Sequence, residues 1–364
     1  MDRETIGYYA AFSQCPRIGP MRFNSLLEYF GSVKKAYSAP RSQLEKVLDS
    51  LTASTFIEFR SKFDIIRRLN DCDQKGIHIL ARHDPRFPQL LLNFADPPIC
   101  LYAKGSLDTI DFNSDRFFAI VGTRAPTTYG EWVAEKFAQE LSEHFIIVSG
   151  LAYGIDFQAH KAALDAGRRT VAFLGCGVDI PYPAKNISVY NRIIEGGGLV
   201  MSEFPPGMRT LKGLFVSRNR HISGLSEGVF VVEGSYKSGT RITAKYALDQ
   251  GKEVFVPPVP INSITSQTPQ YLLDQGATLV FDPADILRAY GFAGSRSEKQ
   301  VLDLLSFEPD AQRVLGAILN ESRRIDDIIL MSGLVPNQVM NTLTMLEVSG
   351  TVVKNMDGTY QLAC

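Results

Sequence analysis

At 364 residues the chain exceeds one ordinary domain, and about 150 residues per domain gives a prior of two or three units. Its 45 % hydrophobic and 21 % charged residues exclude a disordered chain, a collagen-like fibre and a coiled coil. With 38 Lys and Arg against 39 Asp and Glu, the net charge of −1 excludes a globally basic nucleic-acid protein but not a local basic patch.

The opening stretch, MDRETIGYYA, carries acidic residues and no apolar core, so no secretory signal is expected. No apolar run approaches the roughly 18 residues that span a bilayer. Residues 1–80 read as a small helical domain. Apolar positions recur at helical spacing over 6–12, 21–30, 43–51 and 56–69, with Arg17-Ile-Gly-Pro20 and Gly31-Ser32 as turns. A connector follows, from His83-Asp-Pro-Arg-Phe-Pro88 to Asp96-Pro-Pro98, whose prolines favour extended chain.

From about residue 115 the pattern changes. Apolar runs at 117–121, 145–148, 170–174, 199–201, 229–232, 253–256 and 278–281 alternate with amphipathic stretches. Those stretches include 129–141, 157–166, 190–194 and 242–249. Apolar strands alternating with helices predict a parallel sheet covered on both faces. Gly122, Gly150, Gly175 and Gly234 mark the carboxyl edge of its strands, where ligands bind in open α/β sheets.

A linker by composition covers 291–297. Helices are expected over 310–320, 325–331 and 336–347. Strands at 351–354 and 359–362 flank a Met356-Asp-Gly358 turn. Three helices followed by a hairpin is winged-helix order. The expected domains are therefore 1–80, 81–290 and 298–364.

Two glycine loops carry the candidate chemistry. After the first core strand, Gly122 and Thr123 allow close backbone approach, and Arg124 offers a fork of donors to a phosphate. The next loop, Ser149-Gly-Leu-Ala-Tyr-Gly-Ile-Asp156, leads from a strand into a helix, where free amides and the helix dipole favour an anion. Asp156 is placed as the helix N-cap. Between Arg209 and Lys245 lie seven basic and two acidic residues. The plain reading of such a run is a solvated basic face. Within it, Ser217-Arg-Asn-Arg-His221 crowds donors, and Ser238, Gly239 and Thr240 offer hydroxyls and an amide suited to successive phosphates. Tyr153, Tyr182 and Tyr236 are candidates for stacking bases, or simple packing residues.

Catalytic and metal signatures are poor. GxGxxG, Walker A, GxSxG and HExxH are absent, so no cofactor is expected. His78, His83, His144, His160 and His221 do not pair at metal spacing. Cys15, Cys72, Cys100, Cys176 and Cys364 are scattered without a CxxC, which predicts reduced thiols in a cytoplasm. Cys176 is a candidate nucleophile or a small residue in a tight turn. Glu203 and Glu233 are candidate bases or carboxylates that orient arginines.

The ordered set of motifs resembles the DNA-processing protein A (DprA) family over roughly residues 80–285. It comprises Phe118-Ala-Ile-Val-Gly-Thr-Arg124, Val148-Ser-Gly-Leu-Ala-Tyr-Gly-Ile-Asp156, Tyr182-Pro183, Ser202-Glu-Phe-Pro-Pro-Gly207, Arg218-Asn-Arg220 and Ser238-Gly-Thr240. The resemblance implies an extended Rossmann-like α/β core with an N-terminal helical, SAM-like domain and a C-terminal winged helix. It implies a non-enzymatic protein that binds single-stranded DNA, protects incoming strands during natural transformation and loads RecA recombinase. It also implies a homodimer formed through the core. Carried over by position, Gly122, Thr123, Arg124, Ser149, Gly150, Arg218, Asn219, Arg220, Ser238, Gly239, Thr240 and Arg241 would line the DNA pocket, with Lys185 following Tyr182-Pro183. The chain departs from the family pattern at Tyr153, where an arginine is usual, and over 256–270.

Residues 298–364 hold five basic and nine acidic residues, which opposes attraction to phosphates. A protein-contact or regulatory module is expected there. The rival reading is a hydrolase or transferase acting on a nucleotide or phosphoribosyl compound in the same crevice. A third is transcriptional regulation through the winged helix.

Overall fold

The computed structural model describes residues 2–94, 96–292, 307–319, 322–355 and 358–362. The chain divides into two compact units, 1–294 and 295–364.

Six helices open the first unit: α1 (Arg3–Gln14), α2 (Pro20–Phe30), α3 (Val33–Ser38), α4 (Arg41–Leu44), α5 (Ser50–Lys62) and α6 (Ile65–Gln74). Two of the expected helical stretches are broken, and the breaks have a physical cause. Asp49 accepts from the Thr52 amide at 2.9 Å and starts α5, so 43–51 is not one helix. Asp64 accepts from the Arg67 amide at 2.9 Å and starts α6, which interrupts 56–69. Each cap satisfies an otherwise orphan amide and contributes about 1 kcal/mol. Phe12, Phe23 and Phe56 are fully buried beneath these helices, with Phe12 and Phe56 stacked at 4.9 Å.

The chain then enters the sheet through β1 (Ile77–Ala81) and β2 (Cys100–Gly105), which pair antiparallel. Neither strand was expected. The prolines between them mark the connector, whose end is tied down by Arg82 donating to the carbonyls of Pro97 and Pro98. The core follows as β3 (Phe117–Val121), α7 (Thr128–Leu141), β4 (Ile146–Ser149), α8 (Ile155–Asp165), β5 (Thr170–Phe173), α9 (Ile187–Glu195) and β6 (Leu199–Ser202). It continues with α10 (Lys212–Leu225), β7 (Gly228–Val231), α11 (Gly239–Asp249), β8 (Glu253–Val256), α12 (Gln267–Asp274), β9 (Thr278–Leu279) and α13 (Pro283–Ala289). The sheet order is β1-β2-β6-β5-β4-β3-β7-β8-β9, and β3 to β9 run parallel.

Every residue of β3 to β7 is buried, because helices cover both faces. That explains why these strands read as apolar runs. From β3 the chain builds outward to β6 on one side, then returns to build β7 to β9 on the other. The order therefore reverses between β3 and β7, and a crevice opens at their carboxyl ends.

The second unit contains α14 (Pro309–Ile318), β10 (Arg323–Arg324), α15 (Ile325–Ser332), α16 (Pro336–Val348), β11 (Val352–Lys354) and β12 (Thr359–Leu362). Its sheet runs β10-β12-β11, all antiparallel. Leu315, Ile328, Leu343 and Tyr360 meet in its core. This is the expected winged-helix order with β10 added. Residues 293–297 of the expected linker, and Met356 and Asp357 of the expected turn, lie outside the described residues.

Candidate functional site

The Ser217–His221 stretch is helical, part of α10, and was not anticipated as such. The helix decides which side chains face the crevice. At 3.6 residues per turn, Phe215, Arg218, Asn219 and Ile222 share one face. All four line a cleft of roughly 720 Å³ at the carboxyl ends of β3 and β7. Arg220 is two residues from Arg218 and projects from a different face. It pairs with Glu203 at 2.6 Å and lies against Phe94.

Two loops complete the cleft. After β3, Gly122, Thr123 and Arg124 line it. Gly122 is fixed by packing, since a β-carbon there would lie 2.4 Å from Ile155. Arg124 is exposed, has no carboxylate partner among the described residues, and lies 5.4 Å over the Phe215 ring. After β7, Ser235, Lys237, Ser238, Gly239 and Thr240 line the other side. Ser238 caps α11 by accepting from the Thr240 amide at 3.2 Å. A β-carbon at Gly239 would meet only open space, so the backbone there is accessible. Lys237 is exposed and likewise unpaired among the described residues. The cleft thus gathers two free cations and the positive end of a helix dipole.

Arg218 is 4 % exposed. Its Nη1 donates to the Gly150 carbonyl at 2.6 Å and to the Phe173 carbonyl, and its Nε donates to Asn219 Oδ1 at 3.1 Å. It therefore joins the carboxyl ends of β4 and β5. Nη2 has no hydrogen-bond partner among the described residues. Burial pushes Arg218 down to about 10, while Asp156 favours its charge. Burial likewise raises the Asp156 carboxyl, against the pull of Arg218. Asp156 is not the N-cap it was read as. Gly154 occupies that place with φ +77, and Asp156 sits in the first turn of α8, lining the cleft.

Eight of the thirteen expected site residues line this cleft: Gly122, Thr123, Arg124, Arg218, Asn219, Ser238, Gly239 and Thr240. Gly150 lines an adjoining hollow with Arg124, Tyr153, Tyr182 and Phe215. Ser149 is wholly buried and donates to the Ile120 carbonyl at 2.6 Å. Lys185 is exposed on the turn before α9, outside the cleft lining. Arg220 lines a separate cavity with Asp96 and Lys252. Arg241 lies between two tyrosine rings beside the cleft. Phe215 was missed, because its position is meaningful only once α10 is read as a helix.

Each catalytic candidate is committed elsewhere. Glu233 accepts from the Thr127 amide at 2.9 Å, from the Thr127 hydroxyl at 2.6 Å and from the Thr265 hydroxyl at 3.1 Å. Glu203 pairs with Arg220, and burial raises its carboxyl. Cys176 is fully buried, and burial pushes its thiol up to about 11, which disfavours the thiolate. Among the described residues, no group of His, Cys, Asp and Glu could hold a metal ion, and no helix is long and apolar enough to cross a membrane.

Comparisons with known proteins agree with this architecture. The family model described as DNA recombination-mediator protein A matches residues 78–291, and that of the DprA winged helix domain matches 306–358. Protein Smf of Synechocystis sp. is 30 % identical over 390 residues, covering 97 % of this chain and 98 % of its own. The X-ray structure of DNA processing protein A from Streptococcus pneumoniae is similar with a TM-score of 0.69 and 32 % identity, over 79 % of this chain and 99 % of that one. DNA processing protein A from Helicobacter pylori, solved for its single-stranded DNA binding mode, gives a TM-score of 0.53 and 30 % identity over 59 % of this chain and 95 % of its own. With the sheet unit and the winged helix both matched, the chain belongs to the DNA recombination-mediator protein A family.

Proposed function

We infer that the cleft binds the backbone of single-stranded DNA and that the protein acts as a DNA-processing recombination mediator. One observation carries this reading. At the reversal of strand order, an open cleft presents the exposed cations Arg124 and Lys237 and the N-terminus of α11, while the Asp156 carboxyl in its lining is buried and raised by that burial. Such donors hold phosphates and carry no sequence code. In the finer reading, the protein protects incoming strands in the cytoplasm during natural transformation and hands them to RecA recombinase. It does so as a homodimer joined through the sheet unit, and binds without catalysing. The commitments of Glu203, Glu233 and Cys176 favour binding over hydrolysis.

The test is a titration of the whole protein against labelled oligo-dT and matching duplex at several salt concentrations. Single strands should bind more tightly. Affinity should fall with salt by about 0.7 log units per log unit for each phosphate neutralised. Equal affinity for duplex and single strand, or no binding, overturns the reading. RecA assembly on coated and bare strands tests the hand-over separately.

A further inference from the structure

Beside the cleft, Arg241 in the first turn of α11 is held between two aromatic rings. Its guanidinium carbon lies 3.5 Å from the Tyr271 centroid and 4.4 Å from that of Tyr236. Tyr271, on α12, packs against the core and anchors the stack. The Tyr236 amide donates to Gln267 Oε1 at 2.9 Å, which fixes the backbone beneath the outermost ring. Yet Tyr236 is 63 % exposed. Its chain neighbours Ser235 and Lys237 both line the cleft, so the ring stands at the rim.

We propose that Tyr236 is a stacking platform for one base of a single strand as it leaves the phosphate-binding cleft, with Arg241 as its positioning residue. The proposal rests on the single-strand reading of the cleft. With Arg241 against one face, the ring is pre-oriented and its remaining surface is open. A cation against one face of an aromatic ring also holds that ring by electrostatic attraction. A base is the matching occupant because every base has a π-face, so stacking tolerates any sequence, as the backbone contacts do. Topology supplies the path. Arg124 follows β3 and Tyr182 follows β5, whereas Tyr236 follows β7 and Tyr271 follows β8. A strand passing Arg124 and the start of α11 reaches Tyr236 on the β7 side.

The experiment compares wild type, Tyr236→Ala, Tyr236→Phe and Arg241→Met on oligo-dT of about 4 to 16 nucleotides, the span of single-strand site sizes. Each oligonucleotide also carries 2-aminopurine at successive positions. Wild type and Tyr236→Phe should quench the fluorophore at one position, by stacking. Tyr236→Ala should lose that quenching and bind the longer strands about five- to ten-fold more weakly, at the lower end of one base stack. Its affinity for the shortest strands should be unchanged. Arg241→Met should reduce the quenching in part, because the ring loses its orientation. If Tyr236→Ala matches wild type in length dependence and quenching, the platform is refuted while the cleft reading stands. If wild type itself does not bind single strands, both fall.

Discussion

Arg218 occupies the space that a side chain at Gly150 would need: a β-carbon there would lie 2.4 Å from Arg218 Nη1. The glycine at the end of β4 is thus required by an arginine from α10, before any ligand is considered. Gly150→Ala should displace the guanidinium from the Gly150 and Phe173 carbonyls and cost about 1 to 3 kcal/mol, as overpacking does. Arg218→Met should cost more, because it leaves the buried Gly150 and Phe173 carbonyls without their donor, at about 1 to 3 kcal/mol for each group left unsatisfied. Thermal unfolding should show both losses, with Arg218→Met the larger. Wild-type melting of Arg218→Met would contradict the tie.

Arg124 should behave in the opposite way. Its side chain is exposed and makes no ion pair among the described residues, so its removal leaves no buried group unsatisfied. Arg124→Ala should keep the wild-type melting temperature, weaken oligo-dT binding and lower the salt slope by about 0.7. An unchanged slope would mean that Arg124 neutralises no phosphate.

Much of this was legible in the chain itself, and the failures share a cause. The buried strands β3 to β8 announced themselves as apolar runs, and Gly122 was found as a loop residue, whereas Gly239, read as part of a loop, starts α11. The helix α10 was hidden because Gly213, Ser217, Asn219, Ser223 and Gly224 depress helix propensity, and tertiary packing overrides it. Reading that segment as a donor-rich stretch placed Arg218 and Arg220 together, whereas helical geometry separates them. Prolines around 83–98 concealed β1 and β2. The Arg241 stack joins side chains about thirty positions apart, a distance that no local pattern reveals.

Two enclosed histidines make stability depend on pH. Burial and Arg218 hold His160 down to about 3, and burial and Arg220 hold His221 well below 6.5. The unfolded chain binds protons at both near 6.5, but the folded chain does not. Their contribution is therefore complete above about 6.5 and is lost as pH falls below it, for His160 down to about 3, at up to roughly 1.4 kcal/mol per pH unit for each ring. Asp156 and Glu203, both raised by burial, act in the other direction and add stability as pH falls through their folded values. Urea unfolding at about pH 7.5 and about pH 5.5 should show the loss. His221→Leu should shrink it by one proton, since neither ring nitrogen has a hydrogen-bond partner to lose among the described residues. An identical pH slope in that variant would remove His221 from the account.

The C-terminal unit should contribute little to strand affinity. Its α16 exposes Asn337, Gln338 and Asn341 and contains no Lys or Arg, although a helix that reads a groove needs donors to base edges and cations for phosphates. Five basic against nine acidic residues over 298–364 make approach to DNA unfavourable. The same unit exposes Leu330, Met345 and Val348 at 83 %, 71 % and 82 %, apolar surface better suited to a protein contact. Residues 1–294 keep their own buried clusters without it. A chain ending at residue 294 should therefore fold and bind oligo-dT within about two-fold of the whole protein, with the same salt slope. A shallower slope and a ten-fold loss, about 1.4 kcal/mol, would show that the C-terminal unit touches the strand despite its charge.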